Sequence, residues 1–180
     1  SSNISLLKKH LEPSDLVFHA EVRGAAAVIL KNGKASGEAS RKEAAQFAAT
    51  YSRAWREGLS QMTVYYIEPH QISFTPPPGH YLPKGGFIIK GERKYLTVKL
   101  ELAIGISENL ELIYGPPEAV SKKTKNFVKL IPGTKKAGDL VNEIVTILCR
   151  ELNVDARTMK MLKSEIAELI PYGRGEIAKK

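Results

Sequence analysis

Apolar residues alternate along Leu16, Phe18, Ala20 and Val22, and a strand with that period turns these four toward a core. Asp15, Val17, His19, Glu21 and Arg23 then share the opposite face, exposed and ending at the flexible Gly24. An acid, a histidine, a second acid and an arginine in one row exceed what solubility requires, so the row reads as a contact surface.

The same patterns organise the rest of the chain. Asn3 is placed to cap a short helix running to Leu11, which Pro13 ends. Ala25 to Lys31 reads as a strand closed by the turn-forming pair Asn32-Gly33, and 34–39 reads as loop. Ser40-Arg41-Lys42-Glu43 has capping-box spacing, which predicts a helix to about Glu57 with Ala44, Ala48, Tyr51 and Trp55 on one stripe and Gly58 at its end. Met62 to Ile67, Phe87 to Lys90 and Leu96 to Ile106 have strand composition, and Phe74 to His80, with three prolines, predicts an extended loop.

Leu110 to Tyr114 and Asn126 to Ile131 add short strands around a helix start at Pro116-Pro117. Two helices near Asp139 to Leu152 and Asp155 to Leu169 close the chain. The fold class is α+β: a mostly antiparallel sheet packed with a long helix, then a smaller C-terminal α/β part ending in two helices. A charge shift suggests a division into 1–98 and 99–180, although the continuous apolar pattern around it would let one strand serve both halves.

With 43% apolar and 26% charged residues, 180 residues can bury a core without covalent staples. One cysteine, Cys149, excludes an internal disulfide and suits a reducing compartment. No apolar run is long enough for a membrane span and no leader is recognisable, so a cytoplasmic protein is expected. The chain starts abruptly at a serine, which suggests a piece of something longer. Of the net charge of +8, most lies in the first half: residues 1–99 hold 14 Lys/Arg against 8 Asp/Glu, and residues 100–180 hold 13 against 11. Excess positive charge favours a polyanion, but a solvated basic surface has the same composition.

Candidate chemistry is sparse. One Cys and four scattered His give no zinc spacing, so no metal is expected, and no cofactor motif appears. Cys149 lies on an apparent helix and reads as core. Gly85-Gly86 and Gly91 lack phosphate-loop context and read as turns. His19, Glu21 and Arg23 could serve acid–base chemistry, binding or structure, yet no second catalytic group accompanies them. Trp55 falls on the apolar stripe and reads as core, and the RNA-recognition signature of paired aromatics on adjacent strands is absent from the sequence. Phosphate contacts could come from Arg23, Lys31, Arg53, Arg56, Lys84, Lys90, Arg93 and Lys94, or from an acid-free run containing Lys122, Lys123, Lys125, Lys129, Lys135 and Lys136.

The order of elements and many separated residues resemble the RNA-binding domain of the NFACT family. These are Asp15, His19-Ala20, Gly24-Ala25, Ala44-Ala45, Phe47-Ala48, Ser52 to Trp55, Tyr65-Tyr66, Pro69, Gln71 to Ser73, Gly79, Tyr81-Leu82, Gly86-Phe87, Ile89, Gly91 and Tyr95. Tyr114 to Pro116, Val128 to Gly133 and Ile170 to Gly173 resemble the smaller C-terminal domain of archaeal and eukaryotic members. Val17 departs from bacterial members, which often carry an aromatic two residues after the aspartate. Strands that normally precede the first helix are missing, which would leave a sheet edge to solvent or to a partner.

The resemblance implies a ribosome-associated quality-control factor that binds the large ribosomal subunit carrying a stalled peptidyl-tRNA. On that reading the chain is a non-enzymatic module contacting tRNA or rRNA. Asp15, His19 and Gly24 would lie on the RNA-facing strand, and Arg23, Arg53, Arg56, Lys84, Lys90, Arg93 and Lys94 would meet phosphates. The rival expectation is a protein-interaction platform, with a ribosomal protein or a quality-control ligase docking on residues 99–180.

Overall fold

A computed structural model describes residues 2–82 and 86–179; Lys84 and Gly85, both singled out above, lie outside these. The first half contains α1 (Ser2–His10), β1 (Leu16–Ala20), β2 (Val28–Leu30), α2 (Glu38–Thr50), α3 (Arg53–Arg56), β3 (Gln61–Ile67), β4 (Ile72–Ser73), β5 (Ile88–Ile89) and β6 (Lys94–Lys99). The second contains β7 (Leu102–Ile106), β8 (Leu112–Gly115), α4 (Pro117–Ser121), β9 (Phe127–Lys136), α5 (Ala137–Leu148), α6 (Ala156–Leu169) and β10 (Arg174–Ile177). All pairings are antiparallel, in two four-stranded sheets ordered β2-β1-β3-β6 and β10-β9-β7-β8 and a small β4-β5 hairpin. The class is α+β.

The alternation along β1 holds, with Leu16, Phe18 and Ala20 in the main core. The opposite face differs from the sequence expectation. Val17 is fully buried, because Leu7 of α1, Ala27, Tyr65 and Ile67 pack on it with the apolar residues of the β4-β5 hairpin around them. Asp15 is equally buried. The strand also stops at Ala20: Val22 to Ala25 form a turn, with Gly24 at φ +80°, so Arg23 and Gly24 are exposed but not on the strand.

Asn3 sits inside α1 rather than capping it, and its side chain ties the helix to the backbone of Ala25 and Ala27. α2 begins beyond Gly37, so the capping box at Ser40 is not formed. The predicted long helix breaks at Ser52, which leaves the helical conformation and caps α3 by accepting a hydrogen bond from Ala54 N. This break turns Trp55 deep into the core, where its Nε1 donates to the carbonyl of Arg174 at 2.8 Å.

The predicted strand from Leu96 to Ile106 is two strands in different sheets. Around their junction, Gln46 Nε2 donates to Lys99 O and Thr50 Oγ1 to Glu101 O. The helix thus satisfies carbonyls that the change of sheet leaves unpaired. One core runs through both sheets, from Phe18 and Trp55 to Leu130, Ile144 and Ile166. β10 was not foreseen: Arg174-Gly175-Glu176-Ile177 has no recognisable strand pattern, and its pairing with β9 shifts register at Gly175. Cys149 is half-buried at the end of α5 rather than in the core.

Candidate nucleic-acid interface

The outer face of the first sheet is divided. Its β2 side is covered by α1 and the β4-β5 hairpin, while toward β6 it is open. Where the cover ends, the half-buried His19 on β1 stands opposite the buried Tyr65 on β3, and Tyr65 stands opposite the exposed Tyr95 on β6. Antiparallel register therefore aligns three rings from three distant segments in one row.

The His19 and Tyr65 rings stack with centroids 5.4 Å apart and planes at 30°. Tyr95 meets Tyr65 edge-on at 6.5 Å and is 54% exposed. The Arg93 guanidinium lies over the Tyr65 ring, 4.7 Å from its centroid, in cation–π geometry. His19, Tyr65 and Arg93 thus form a layered stack, and Tyr95 is its accessible edge. Beside it, Thr63 and Thr97 hydrogen-bond across the strands at 3.3 Å, followed by Gln61 opposite Lys99.

Burial pushes the His19 pKa below the ordinary histidine value, and the Arg93 charge adds to the shift. Its Nδ1 is buried without a hydrogen-bond partner. At neutral pH the ring is therefore an uncharged platform rather than a phosphate-binding cation. Burial likewise raises the Tyr65 pKa, so its hydroxyl stays protonated.

Asp15 serves a different purpose. Its carboxylate accepts from Lys31 Nζ at 2.6 Å and from the amides of Glu12 and Asn32, both at 2.9 Å. Burial alone would raise its pKa, but these hydrogen bonds outweigh that and hold it below the usual carboxylate value. Asp15 thereby clamps the chain entering β1 to the chain leaving β2. It does not lie on an exposed face.

The basic residues divide by position. Arg93 and Lys99 belong to the open face, whereas Lys94 borders a groove with Lys34 and Arg41 beside Tyr66. Arg23 is exposed in a turn, and Lys90 is exposed just after β5. Arg53 and Arg56 leave on α3 toward the C-terminal segment, where Arg53 pairs with Glu57 at 3.2 Å and the Arg56 guanidinium lies 5.6 Å from the Tyr172 ring centroid. They are not part of the His19 row.

Tyr65 and Tyr95 are among the residues that carry the family resemblance, but the sequence alone assigned no RNA contact to them or to Lys99. Aromatics paired on adjacent strands are present after all, but their signal is one tyrosine in each of two strands, Tyr65 within β3 and Tyr95 near the start of β6, whose register no local motif reveals. Among the described residues no group of three His, Cys, Asp or Glu side chains is placed to hold a metal. No described helix is long and apolar enough to cross a membrane.

Residues 1–91 match the family described as the NFACT protein RNA binding domain. The chain is 34% identical over 184 residues to the archaeal Rqc2 homolog aRqcH of Methanocaldococcus jannaschii, a match covering 99% of this chain and 26% of that protein. It is 33% identical over 96 residues to the human ribosome quality control complex subunit NEMF, covering 52% of this chain and 9% of that protein. Among solved structures, the C-terminal part of the fibronectin/fibrinogen-binding protein from Streptococcus suis aligns with a TM-score of 0.44 and 26% identity, over 53% of this chain and 36% of that one. The chain thus spans about a quarter or less of these curated relatives. With a domain match over half its length and a relative aligned along nearly all of it, the chain belongs to the NFACT family.

Proposed function

We propose that the open face of the first sheet binds RNA, contacting tRNA or large-subunit rRNA as a non-catalytic module of a cytoplasmic ribosome-associated quality-control factor. The observation that carries this reading is the row His19, Tyr65, Tyr95 with Arg93 layered on it. Tyr95 offers a ring for an unpaired base, and a base has a π-face whatever its identity. Arg93, Arg23, Lys90 and Lys99 supply charge for phosphates, which gives affinity and register without reading sequence. Asp15 supports the face from below by fixing the ends of β1 and β2. Gly24, at its left-handed turn, keeps Arg23 projecting. The similarity to the archaeal Rqc2 homolog aRqcH and to NEMF, which is named as a ribosome quality control complex subunit, supports the setting.

Anisotropy of labelled, unfractionated tRNA against salt tests this reading. The log of the association constant should fall linearly with log salt, and Arg93→Ala should reduce the slope by about one contact. A flat plot, or unchanged binding in an Arg93→Ala/Tyr95→Ala variant, would overturn it.

A further inference from the structure

The acid-free lysine run of the second half is split by the fold. Lys129 lies 3.7 Å from Glu101 and Lys135 pairs with Glu143. Lys122, Lys123 and Lys125 are exposed and, among the described residues, enter no ion pair. With Arg150 they line a cleft of about 1010 Å³ between the β7–β8 turn, the α4–β9 loop and the end of α5. Glu108 and Glu151 also line it, so four cations face two carboxylates.

The loop carrying these lysines is pinned on both sides. Thr124 Oγ1 donates to Ile106 O at 2.9 Å, Ile106 N donates to Asn126 O at 3.0 Å, and Asn126 Nδ2 donates to Leu148 O at 2.8 Å. Gly105 makes this approach possible, since a Cβ there would sit 2.7 Å from Thr124 Cγ2 and 2.9 Å from Asn126 O. The lysine backbones are thus preorganised, and little chain ordering opposes binding. Three cations on a fixed loop with an arginine across an open trough suit a ligand whose negative charge repeats along its length.

We infer that this cleft is a second RNA-backbone site, separate from the sheet face. The choice of polyanion rests on the RNA-binding reading, but the cleft shares no residue with that face. Engagement of both would hold one RNA at two places and raise affinity by effective concentration.

The test measures tRNA binding against salt for the whole chain in four forms: wild type, Lys122→Gln/Lys123→Gln/Lys125→Gln, a charge-matched control Lys9→Gln/Lys42→Gln/Lys160→Gln, and Arg93→Ala/Tyr95→Ala. The cleft variant should lose roughly 2 to 3 from the salt slope, as each lost contact removes about 0.7–0.9, and the control should lose less than about one. The sheet variant should keep the cleft's share of the slope. Equal slopes for the cleft variant and the control overturn the inference. So does loss of all salt-dependent binding in the sheet variant, although that result leaves the first reading standing. No tRNA binding by the wild type overturns both. Poly-glutamate bound more tightly than tRNA through these lysines would assign an acidic protein segment to the cleft instead.

Discussion

His19 and Tyr65 stand directly opposite each other on β1 and β3, and their rings stack at 5.4 Å beneath the Arg93 guanidinium. The pair turns a titratable residue into a flat, uncharged surface. Tyr95 extends that surface to solvent.

Tyr95→Ala should raise the dissociation constant for a single-stranded RNA by roughly 5- to 150-fold, because base–aromatic stacking contributes about 1–3 kcal/mol per base. Its ring is half-exposed, so the melting temperature should change little. The salt slope should stay the same, since no phosphate contact is removed. Anisotropy at several salt concentrations with a parallel thermal melt separates these effects.

The lowered pKa of His19 makes stability depend on pH. In the unfolded chain the ring takes up a proton as pH falls below about 6.5, while the folded state resists it. The His19 contribution is therefore fully present above that value and is lost as pH falls through the lower folded pKa. Melting temperatures between pH 5 and 8 should decline on the acid side in the wild type and decline less in His19→Gln.

Asp15→Ala should destabilise the fold by about 2–4 kcal/mol, because it strands two backbone amides and a lysine that all donate to one buried carboxylate. Lys31→Ala should cost less, since the Lys31 side chain is 52% exposed. The lowered Asp15 pKa gives stability that is present above about pH 3.8 and lost as pH falls through the folded value. Urea unfolding of the two variants at pH 7, and of the wild type at pH 5 and pH 3, checks the order and the sign.

Trp55 on α3 donates to Arg174 at the start of β10, so the two halves are joined by a partly buried hydrogen bond as well as by a continuous core. As the single tryptophan, it should report one unfolding transition that coincides with loss of secondary structure by circular dichroism. Trp55→Phe should lower stability by about 1–3 kcal/mol through an unsatisfied Arg174 carbonyl and lost volume. Two separate transitions would show that the halves unfold independently.

Much of the first half was legible in its residues. The alternation of Leu16, Phe18 and Ala20, the β-branched and aromatic run from Met62 to Ile67 and the stripe through Ala44, Ala48 and Trp55 all predicted the core they form. Helix ends were less legible, because Gly37 and Ser52, not Ser40 and Gly58 alone, set the boundaries of α2 and α3. β10 escaped because its short polar segment is a strand only by virtue of β9 beside it.

The sequence by itself determined which residues share a face, since side-chain direction follows from local backbone period. It also identified the family and placed most of the net positive charge in the first half. What covers a face is a property of segments far away in the chain, and only the tertiary structure decided it. Packing of α1 and the β4-β5 hairpin buried Val17 and left His19 at the boundary of the open surface. Strand register, set by pairing between positions 19, 65 and 95, brought three separate rings into one row, two stacked and the third edge-on. Ion pairs from β9 to Glu101 and to Glu143 of α5 decided that Lys129 and Lys135 of the basic run are engaged while, among the described residues, Lys122, Lys123 and Lys125 are not. Each of these depends on contacts between residues distant in sequence, which local pattern does not encode.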